Sequence, residues 1–175
     1  MDILVVVDMQ KDFIDGSLGT KEAVAIVPNV VEKIRGFDGT VIATRDTHGS
    51  DYLDTEEGRH LPVVHCVKDT PGWQLHPEVE AALRAKADSR IIDKPTFGSV
   101  ELGEAVRELA AEAPIGKITL VGLCTDICVI SNALLLKAFL PEVPLEADIS
   151  CCAGVTPESH AQAAEAMKMC QVAVV

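Results

Sequence analysis

The feature that most constrains the fold of this chain is a regular alternation of short apolar runs with amphipathic helical patterns. The apolar runs predict six strands, at residues 3–7, 40–44, 89–93, 117–122, 144–149 and 171–175. The helical patterns predict five helices, at residues 22–37, 76–87, 99–113, 126–140 and 157–169. Because the strands are apolar throughout, helices must cover both faces of the sheet. We therefore predict an α/β fold: three α/β/α layers around a six-stranded, mainly parallel, doubly wound (Rossmann-like) sheet.

Length and composition fit one globular domain over residues 1–175, with 48% hydrophobic and 24% charged residues. The formal net charge of −12, with no basic stripe, argues against nucleic-acid or anionic-membrane partners. No stretch approaches the ~20 apolar residues of a membrane span. The start "MDILVVVDMQ" lacks the basic region of a signal peptide. Six cysteines without such a signal predict reduced thiols and a cytoplasmic location.

Ionisable side chains follow four of the predicted strands at the point where each strand ends. Asp8 follows the first strand, Asp46 and His48 follow the second, Lys94 the third, and the segment 124–128 the fourth. In doubly wound sheets, ligands bind outside the carboxyl ends of the strands, where helix N-termini also point. We therefore expect these side chains to converge at one edge of the sheet.

The segment "GLCTDICV" (122–129) places two cysteines at a predicted strand-to-helix turn. Cys128 lies in the first helical turn, where the macrodipole and free N–H groups favour a thiolate. Lys94 would lower the pKa of this thiol further, and Asp8 could accept its proton. Backbone N–H groups at the turn could hold an oxyanion. The set suffices for acyl transfer through a thioester, although a capping aspartate, a solvated lysine and a core cysteine are the structural alternative.

The long irregular stretch 45–75 carries the pattern of a metal site. Asp46 and His48 form a D-x-H pair, and His65 follows far enough along for the chain to return. Nitrogen and oxygen donors suit Zn²⁺, Mn²⁺ or Fe²⁺, whereas solvated loop charges are the alternative interpretation. The candidates for a fourth ligand lie in the returning arm: Glu56, Glu57 and His60.

Four motifs in chain order resemble those of the isochorismatase-like cysteine hydrolases, and among these the nicotinamidases. "VVVDMQKDF" (5–13) is similar to the first-strand D-x-Q-x-D-F motif, and "TRDTH" (44–48) with "LPVVHC" (61–66) to the metal loop. "DKPTFGS" (93–99) resembles the K-x-x-[FY] segment, and "GLCTDICV" the nucleophile turn. The resemblance covers nearly the whole chain and implies the fold already predicted.

The resemblance also implies catalytic roles. Cys128 corresponds to the nucleophile, Asp8 to the general base and Lys94 to the third member of the triad. Cys124 corresponds to a residue that follows a cis peptide, so that its N–H and that of Cys128 form the oxyanion hole. Cys151, Cys152 and Cys170 have a simpler interpretation as small buried hydrophobic residues.

The resemblance further implies binding residues. The metal ligands are Asp46, His48 and His65, and "TEEGRHLP" (55–62) is similar to the family variant with a glutamate ligand, for which we choose Glu57. The divalent metal is expected to be zinc, with manganese or iron as alternatives. Two aromatic residues are expected to bind the substrate, by packing on its ring and by closing the pocket from the long loop: Phe13 and Trp73.

These roles predict a cysteine-dependent amidohydrolase, a nicotinamidase of pyridine nucleotide biosynthesis that forms a thioester on Cys128. Its partner is a small-molecule amide, and a homo-oligomer is expected because family members are often dimers or tetramers. One alternative is a related amidase of the N-carbamoylsarcosine or ureidoacrylate type. Another is a non-catalytic, thiol-rich redox or metal-binding module that uses the C-x-x-x-C of residues 124–128, although no second cysteine pair has zinc-site spacing.

Overall fold

The computed structural model describes residues 1–175 and contains one six-stranded sheet. The strands are β1 (Asp2–Val7), β2 (Thr40–Asp46), β3 (Ser89–Lys94), β4 (Lys117–Leu123), β5 (Leu145–Ala153) and β6 (Val172–Val174). They lie in the order β3-β2-β1-β4-β5-β6, and every neighbouring pair is parallel. The predicted fold class is confirmed, with a sheet that is parallel throughout.

Seven α-helices connect and cover the strands. They are α1 (Lys11–Ile14), α2 (Lys21–Gly36), α3 (Glu56–His60), α4 (Pro77–Arg84), α5 (Val100–Glu112), α6 (Ile130–Phe139) and α7 (Pro157–Met169). The short helices α1 and α3 were not predicted, because each is too short to show a helical period. None of the helices is long and apolar enough to span a membrane.

The side chains of β1 show how the apolar runs build two cores. Leu4 and Val6 pack with the buried faces of α2 and α4 on one side of the sheet. Ile3, Val5 and Val7 point to the other side and pack with α5 and α6. Alternate residues of a strand face opposite sides, so a strand that is buried on both sides must be apolar at every position. Each buried side chain contributes roughly 1.5–3 kcal/mol.

The strand order sets the position of a crevice. From β1 the chain builds outward through β2 and β3, and it then returns to the other side of β1 to add β4, β5 and β6. The direction in which successive strands are added to the sheet therefore reverses between β1 and β4. The carboxyl ends of these two strands open a crevice of the kind in which doubly wound proteins bind ligands.

Local signals explain most helix boundaries, and one expectation, the burial of Cys170, was wrong. Ser99 caps α5, since its hydroxyl accepts a hydrogen bond from the Leu102 N–H at 3.1 Å. Pro28 lies inside α2, which nevertheless continues to Gly36. The proline lies on the exposed side of the helix, while Val27 and Val30 beside it hold the helix to the core. Cys170 is exposed rather than buried, because it follows the last turn of α7.

Candidate active site

Three predicted catalytic side chains meet in the crevice between β1 and β4. The Lys94 Nζ, at the end of β3, lies 2.7 Å from the Asp8 Oδ2 and 3.4 Å from the Cys128 Sγ. Asp8 follows β1, has a positive φ of 48°, and accepts a hydrogen bond from the Thr44 hydroxyl at 2.6 Å. All three predicted side chains are buried. The ammonium therefore bridges a carboxylate that follows β1 and a thiol in the turn after β4.

The electrostatics of this group differ from the sequence-based expectation. Burial raises the pKa of the Cys128 thiol well above its ordinary value, and the Asp8 charge raises it further, which outweighs the lowering by Lys94. Burial of the thiol therefore opposes the thiolate that the helix N-terminus was expected to favour, because Cys128 lies deeper than a helix N-terminus at the surface. Burial also raises the pKa of Asp8, although Lys94 opposes this shift. The Asp8 carboxylate is thus a stronger base than an exposed aspartate.

The predicted strand-to-helix turn that carries Cys124 and Cys128 contains a π-helical turn before the α-helix begins. Residues Thr125–Val129 form this turn before α6 begins, and Cys128 lies within it. The peptide bond between Leu123 and Cys124 is cis, as the family resemblance implied. The Cys124 N–H has no hydrogen-bond acceptor within the chain. It is therefore free to bind an oxygen of a ligand.

A glycine makes this turn possible. Gly122 has a φ of +112°, and a Cβ at this position would lie 2.1 Å from the carbonyl oxygen of Val7. A side chain would be incompatible with both the backbone conformation and the contact with β1. Gly122 lies beside an irregularity in the pairing of β4 with β5, where the chain turns toward the cysteines.

A group of four potential metal ligands lies beside the triad. Asp46, His48, Glu57 and His65 each offer one donor atom, and these atoms lie within 4.8 Å of one another. Asp46 ends β2, Glu57 lies in α3, and a short parallel bridge between His48 and Val67 brings the returning loop back. The structure thus brings together all four residues that were predicted as ligands.

The other two candidates for the fourth ligand lie at the exposed edge of the cavity, outside the group of clustered donors. The Glu56 carboxylate is exposed and pairs with Arg59 at 2.9 Å, and the His60 ring is exposed at the end of α3. Only Glu57, of the three, belongs to the clustered group.

The four donors fit a divalent cation. Two imidazole nitrogens and two carboxylate oxygens are the ligands that zinc, manganese and iron accept. Burial and the nearby Asp46 charge raise the pKa of Glu57, because two carboxylates at this distance repel each other. The Asp46 Oδ1 is buried without a hydrogen-bond partner. A bound cation would relieve both the repulsion and the unsatisfied oxygen.

Gln10 is a buried residue to which the sequence analysis gave no role. Its Nε2 donates to the carbonyl oxygens of Asp46 and Trp73, both at 2.8 Å, and its Oε1 accepts from the Asp46 N–H at 2.7 Å. The side chain therefore fixes the backbone of one potential ligand and connects it to Trp73, near the end of the loop that follows β2. Its place in the D-x-Q-x-D-F motif was the available signal, but a glutamine offers no chemistry that would have marked it.

The two predicted substrate-binding aromatic residues have different positions. Phe13 lines the cavity in front of the triad, and its ring centroid lies 5.4 Å from that of His65. Trp73 does not line the cavity, so the prediction that it closes the pocket was wrong. Its indole N–H donates to the Thr47 hydroxyl at 2.8 Å, and the Arg45 guanidinium stacks 3.7 Å from the ring centroid. Trp73 is a buried support of the loop.

Cys128 and the four potential metal ligands line one cavity of about 910 Å³, whereas Asp8 and Lys94 are buried and do not reach its surface. Its lining contains three carboxylates and no lysine or arginine side chain. Apart from any bound cation, the cavity therefore offers an anionic substrate no lysine or arginine side chain, only histidine and threonine donors, and a neutral molecule with a polar end and an apolar body fits best.

Comparison with known proteins agrees with this geometry. Residues 2–175 match the family model described as "Isochorismatase domain". A nicotinamidase/pyrazinamidase of Mycobacterium tuberculosis is 25% identical, over 100% of this chain and 98% of that protein. The pyrazinamidase of Pyrococcus horikoshii in complex with zinc is 29% identical, with a TM-score of 0.81 over 99% of this chain and 98% of that one.

One further solved structure shows that the fold alone does not select the substrate. The N-carbamoylsarcosine amidase of Thermoplasma acidophilum superposes with a TM-score of 0.74 at 24% identity, covering 99% of this chain and 95% of that one. The family model nevertheless spans almost every residue of this chain, and so the protein belongs to the isochorismatase-domain family.

Proposed function

We propose that this protein is a cysteine-dependent nicotinamidase, which hydrolyses nicotinamide to nicotinate and ammonia through a thioester on Cys128. Its relatives indicate a hydrolase that acts on amide C–N bonds. The observation that carries the finer assignment is the Lys94 ammonium, which lies 2.7 Å from the Asp8 carboxylate and 3.4 Å from the Cys128 sulfur. A thiol that can act as the nucleophile and a carboxylate that can act as the base thus lie around one ammonium group.

The first half of the reaction forms the thioester. Asp8 takes the proton of the Cys128 thiol, and the sulfur attacks the carboxamide carbon while the carbonyl electrons move to oxygen. The resulting oxyanion accepts a hydrogen bond from the Cys124 N–H and a second from the N–H of Cys128. The oxyanion then collapses, the C–N bond breaks, and Asp8 returns its proton to the departing nitrogen, which leaves as ammonia.

The second half releases the acid. Asp8 accepts a proton from water, whose oxygen attacks the thioester carbon, and the C–S bond breaks as nicotinate forms. The proton on Asp8 then returns to the sulfur. Burial lowers the pKa of Lys94, but the charge of Asp8 and, once the thiol has lost its proton, that of Cys128 raise it by more, so Lys94 remains an ammonium group. It stabilises whichever of its two partners carries the negative charge.

The four clustered donors support a divalent metal ion in this function. Asp46, His48, Glu57 and His65 would hold it, and a bound ion would supply a Lewis acid for the ring nitrogen of the substrate. Phe13 lies beside His65 and would pack against the same ring. The reactive carboxamide would then be oriented by two fixed points, the ring and the oxyanion hole.

The charge of the cavity favours this substrate over those of related amidases. N-carbamoylsarcosine and ureidoacrylate carry a carboxylate, for which a cavity with three carboxylates and no lysine or arginine supplies no strongly basic side chain. Nicotinamide is neutral. The same cavity also argues against a purely thiol-based redox or metal module, since Cys124 and Cys128 lie at a ligand-sized space and are not part of the clustered metal donors.

The direct test is ammonia release from nicotinamide and from N-carbamoylsarcosine, with mass spectrometry of the acid-quenched enzyme. We expect turnover of nicotinamide only, together with a nicotinoyl adduct on the peptide that contains Cys128. Metal content and turnover before and after chelation would test the ion. Turnover of the carbamoyl substrate alone, or an adduct on another cysteine, would refute the assignment.

A further inference from the structure

The cavity is larger than its proposed substrate requires. Ligand pockets range from ~300 Å³ to ~1,000 Å³, and the largest hold drug-sized molecules. At about 910 Å³, this cavity lies near the upper end, although nicotinamide has only one ring. The space that remains beyond the triad and the metal ligands must therefore hold water or a further part of a substrate.

The outer part of the cavity is apolar and comes from separate loops. Its wall includes Leu18 before α2, Leu61 after α3, Phe97 after β3, and Val155 after β5. Three of these side chains are exposed although they are apolar: Leu61 at 38%, Phe97 at 45% and Val155 at 52%. Apolar side chains that gather at the mouth of a cavity typically mark a ligand-binding groove. Here the groove is continuous with the part of the cavity that is lined by Cys128 and the potential metal ligands.

The charge of the cavity wall restricts which substituents the outer part of such a substrate can carry. Glu56 lies at the mouth, its charge partly paired with Arg59, and no lysine or arginine lines the cavity. A carboxylate or phosphate on the outer part of a substrate would lose hydration and meet the Glu56 charge, with only the His60 ring and threonine hydroxyls as donors beyond the potential metal ligands. A neutral apolar substituent would instead bury its surface against the aliphatic and aromatic wall.

We infer that the enzyme acts on heteroaromatic carboxamides that carry a neutral apolar substituent, which the outer wall formed by Leu18, Leu61, Phe97 and Val155 binds. This inference rests on the proposed amidase function and names its substrate class. On a nicotinamide ring, position 5 is the carbon that adjoins neither the ring nitrogen nor the carboxamide-bearing carbon. A substituent there leaves both reactive contacts free, so 5-phenylnicotinamide is the probe.

The experiment compares nicotinamide, 5-phenylnicotinamide and 5-(4-carboxyphenyl)nicotinamide in the wild type and in Val155→Trp. In the wild type, kcat/KM for the phenyl compound should exceed that for nicotinamide about tenfold, since one well-packed apolar contact discriminates by about 10- to 200-fold. The carboxylate should cancel that gain. Val155→Trp should lower the ratio of the phenyl to the nicotinamide value about tenfold.

The matched control is Val24→Trp, which alters an equally exposed valine, at 49%, outside the cavity on α2. It should leave the substrate ratio unchanged. A wild type that prefers nicotinamide to the phenyl compound, or a ratio that Val155→Trp does not move, overturns the inference. The mass of each variant in solution completes the test, because a changed oligomeric state with an unchanged ratio would show that the rim contacts a second copy instead.

Failure of the underlying function has a different signature. If the wild type releases ammonia from none of the three compounds, the amidase proposal fails, and calorimetric titration then tests the binding site alone. Tighter binding of 5-phenylnicotinamide than of nicotinamide, weakened by Val155→Trp, would still support the apolar subsite. Equal binding of the two compounds would overturn it.

Discussion

The two halves of the site, the triad half (Asp8, Lys94 and Cys128) and the metal half (Asp46, His48, Glu57 and His65), are built in different ways. In the triad half, Asp8 and Lys94 directly follow or end strands of one sheet, so the pairing of β1, β2 and β3 fixes their positions. In the metal half, only Asp46 belongs to a strand, while Glu57 and His65 come from the loop between β2 and β3. The triad half is therefore fixed by the packing of the core, and the metal half by the hydrogen bonds of one loop.

Those hydrogen bonds are few and identifiable. The Tyr52 hydroxyl donates to the Leu61 carbonyl oxygen at 2.9 Å and closes the loop around α3. The His48 N–H donates to the Cys66 carbonyl oxygen at 3.0 Å, and Gln10 fixes the backbone of Asp46. Substitutions in the triad half should therefore act on chemistry, whereas single polar substitutions away from the metal half can disturb its ligands.

The largest effect should follow removal of the nucleophile. Cys128→Ala should lower kcat/KM for nicotinamide about 10⁴-fold or more, as the loss of a nucleophile does in other hydrolases that use one. Thermal unfolding should change little, because alanine removes one buried sulfur. Steady-state ammonia release measures the effect. The matched control is Cys170→Ala, which removes an exposed thiol far along the chain; an activity loss of similar size there would contradict the assignment.

The triad half was largely predictable from the sequence, for a physical reason. Apolar runs such as "ILVVV" must be strands buried on both sides, and parallel strands bring their carboxyl ends to one edge. The residues after each run, such as Asp8 and Lys94, could therefore be placed without knowing any loop. The protonation of Cys128 could not be predicted, because it depends on burial within the folded chain.

The metal half was predictable only where the family resemblance helped. The D-x-H spacing indicated Asp46 and His48, but position alone left three candidates for the fourth ligand. Helix α3 turns Glu57 inward, and its five residues show no period in the sequence. The prediction for Trp73 was wrong for a similar reason, because no local sequence pattern reveals its position. Its burial depends on contacts with Arg45 and Thr47 from a distant strand end, which no local pattern reveals.

The fourth ligand gives the next largest effect and separates the two halves. Glu57→Gln should lower zinc affinity at least about 100-fold, since loss of supporting residues alone costs about 10- to 100-fold. His60→Ala is the matched control from the same helix, and we expect no change in affinity because its ring is exposed and outside the donor group. Competition with a chromogenic chelator measures both variants. Weaker binding in His60→Ala alone would reverse the assignment.

Gln10 tests whether the metal half depends on hydrogen bonds. Gln10→Ala removes three bonds to the backbone at Asp46 and Trp73, and we expect zinc affinity to fall about tenfold. The fluorescence of Trp73, the single tryptophan, should report the loosened loop. Gln162→Ala, whose side chain contacts only Glu158 on the exposed side of α7, is the control. Unchanged affinity together with an unchanged spectrum would contradict the dependence.

The smallest effect concerns the thiol itself and has a definite sign. The pKa of Cys128 is raised first by burial and then by the Asp8 charge, while Lys94 lowers it. Asp8→Asn keeps the shape but removes the negative charge, so the pKa should fall and leave more thiolate at neutral pH. Iodoacetamide alkylation should become about tenfold faster at pH 7 for each unit of pKa lost, and its pH profile should move to lower pH.

Amide turnover should disappear in the same Asp8→Asn variant, because the base has been removed. A thiol that gains reactivity while the enzyme loses activity distinguishes a base from a residue that only supports the fold. Asp148→Asn removes a carboxylate paired with Lys33 outside the cavity, and it should leave the alkylation profile unmoved. Circular dichroism must show that Asp8→Asn is folded, since Lys94 loses a buried partner. Slower alkylation in a folded variant would mean that Asp8 activates the sulfur toward any electrophile, and that its charge does not hold the proton on the thiol.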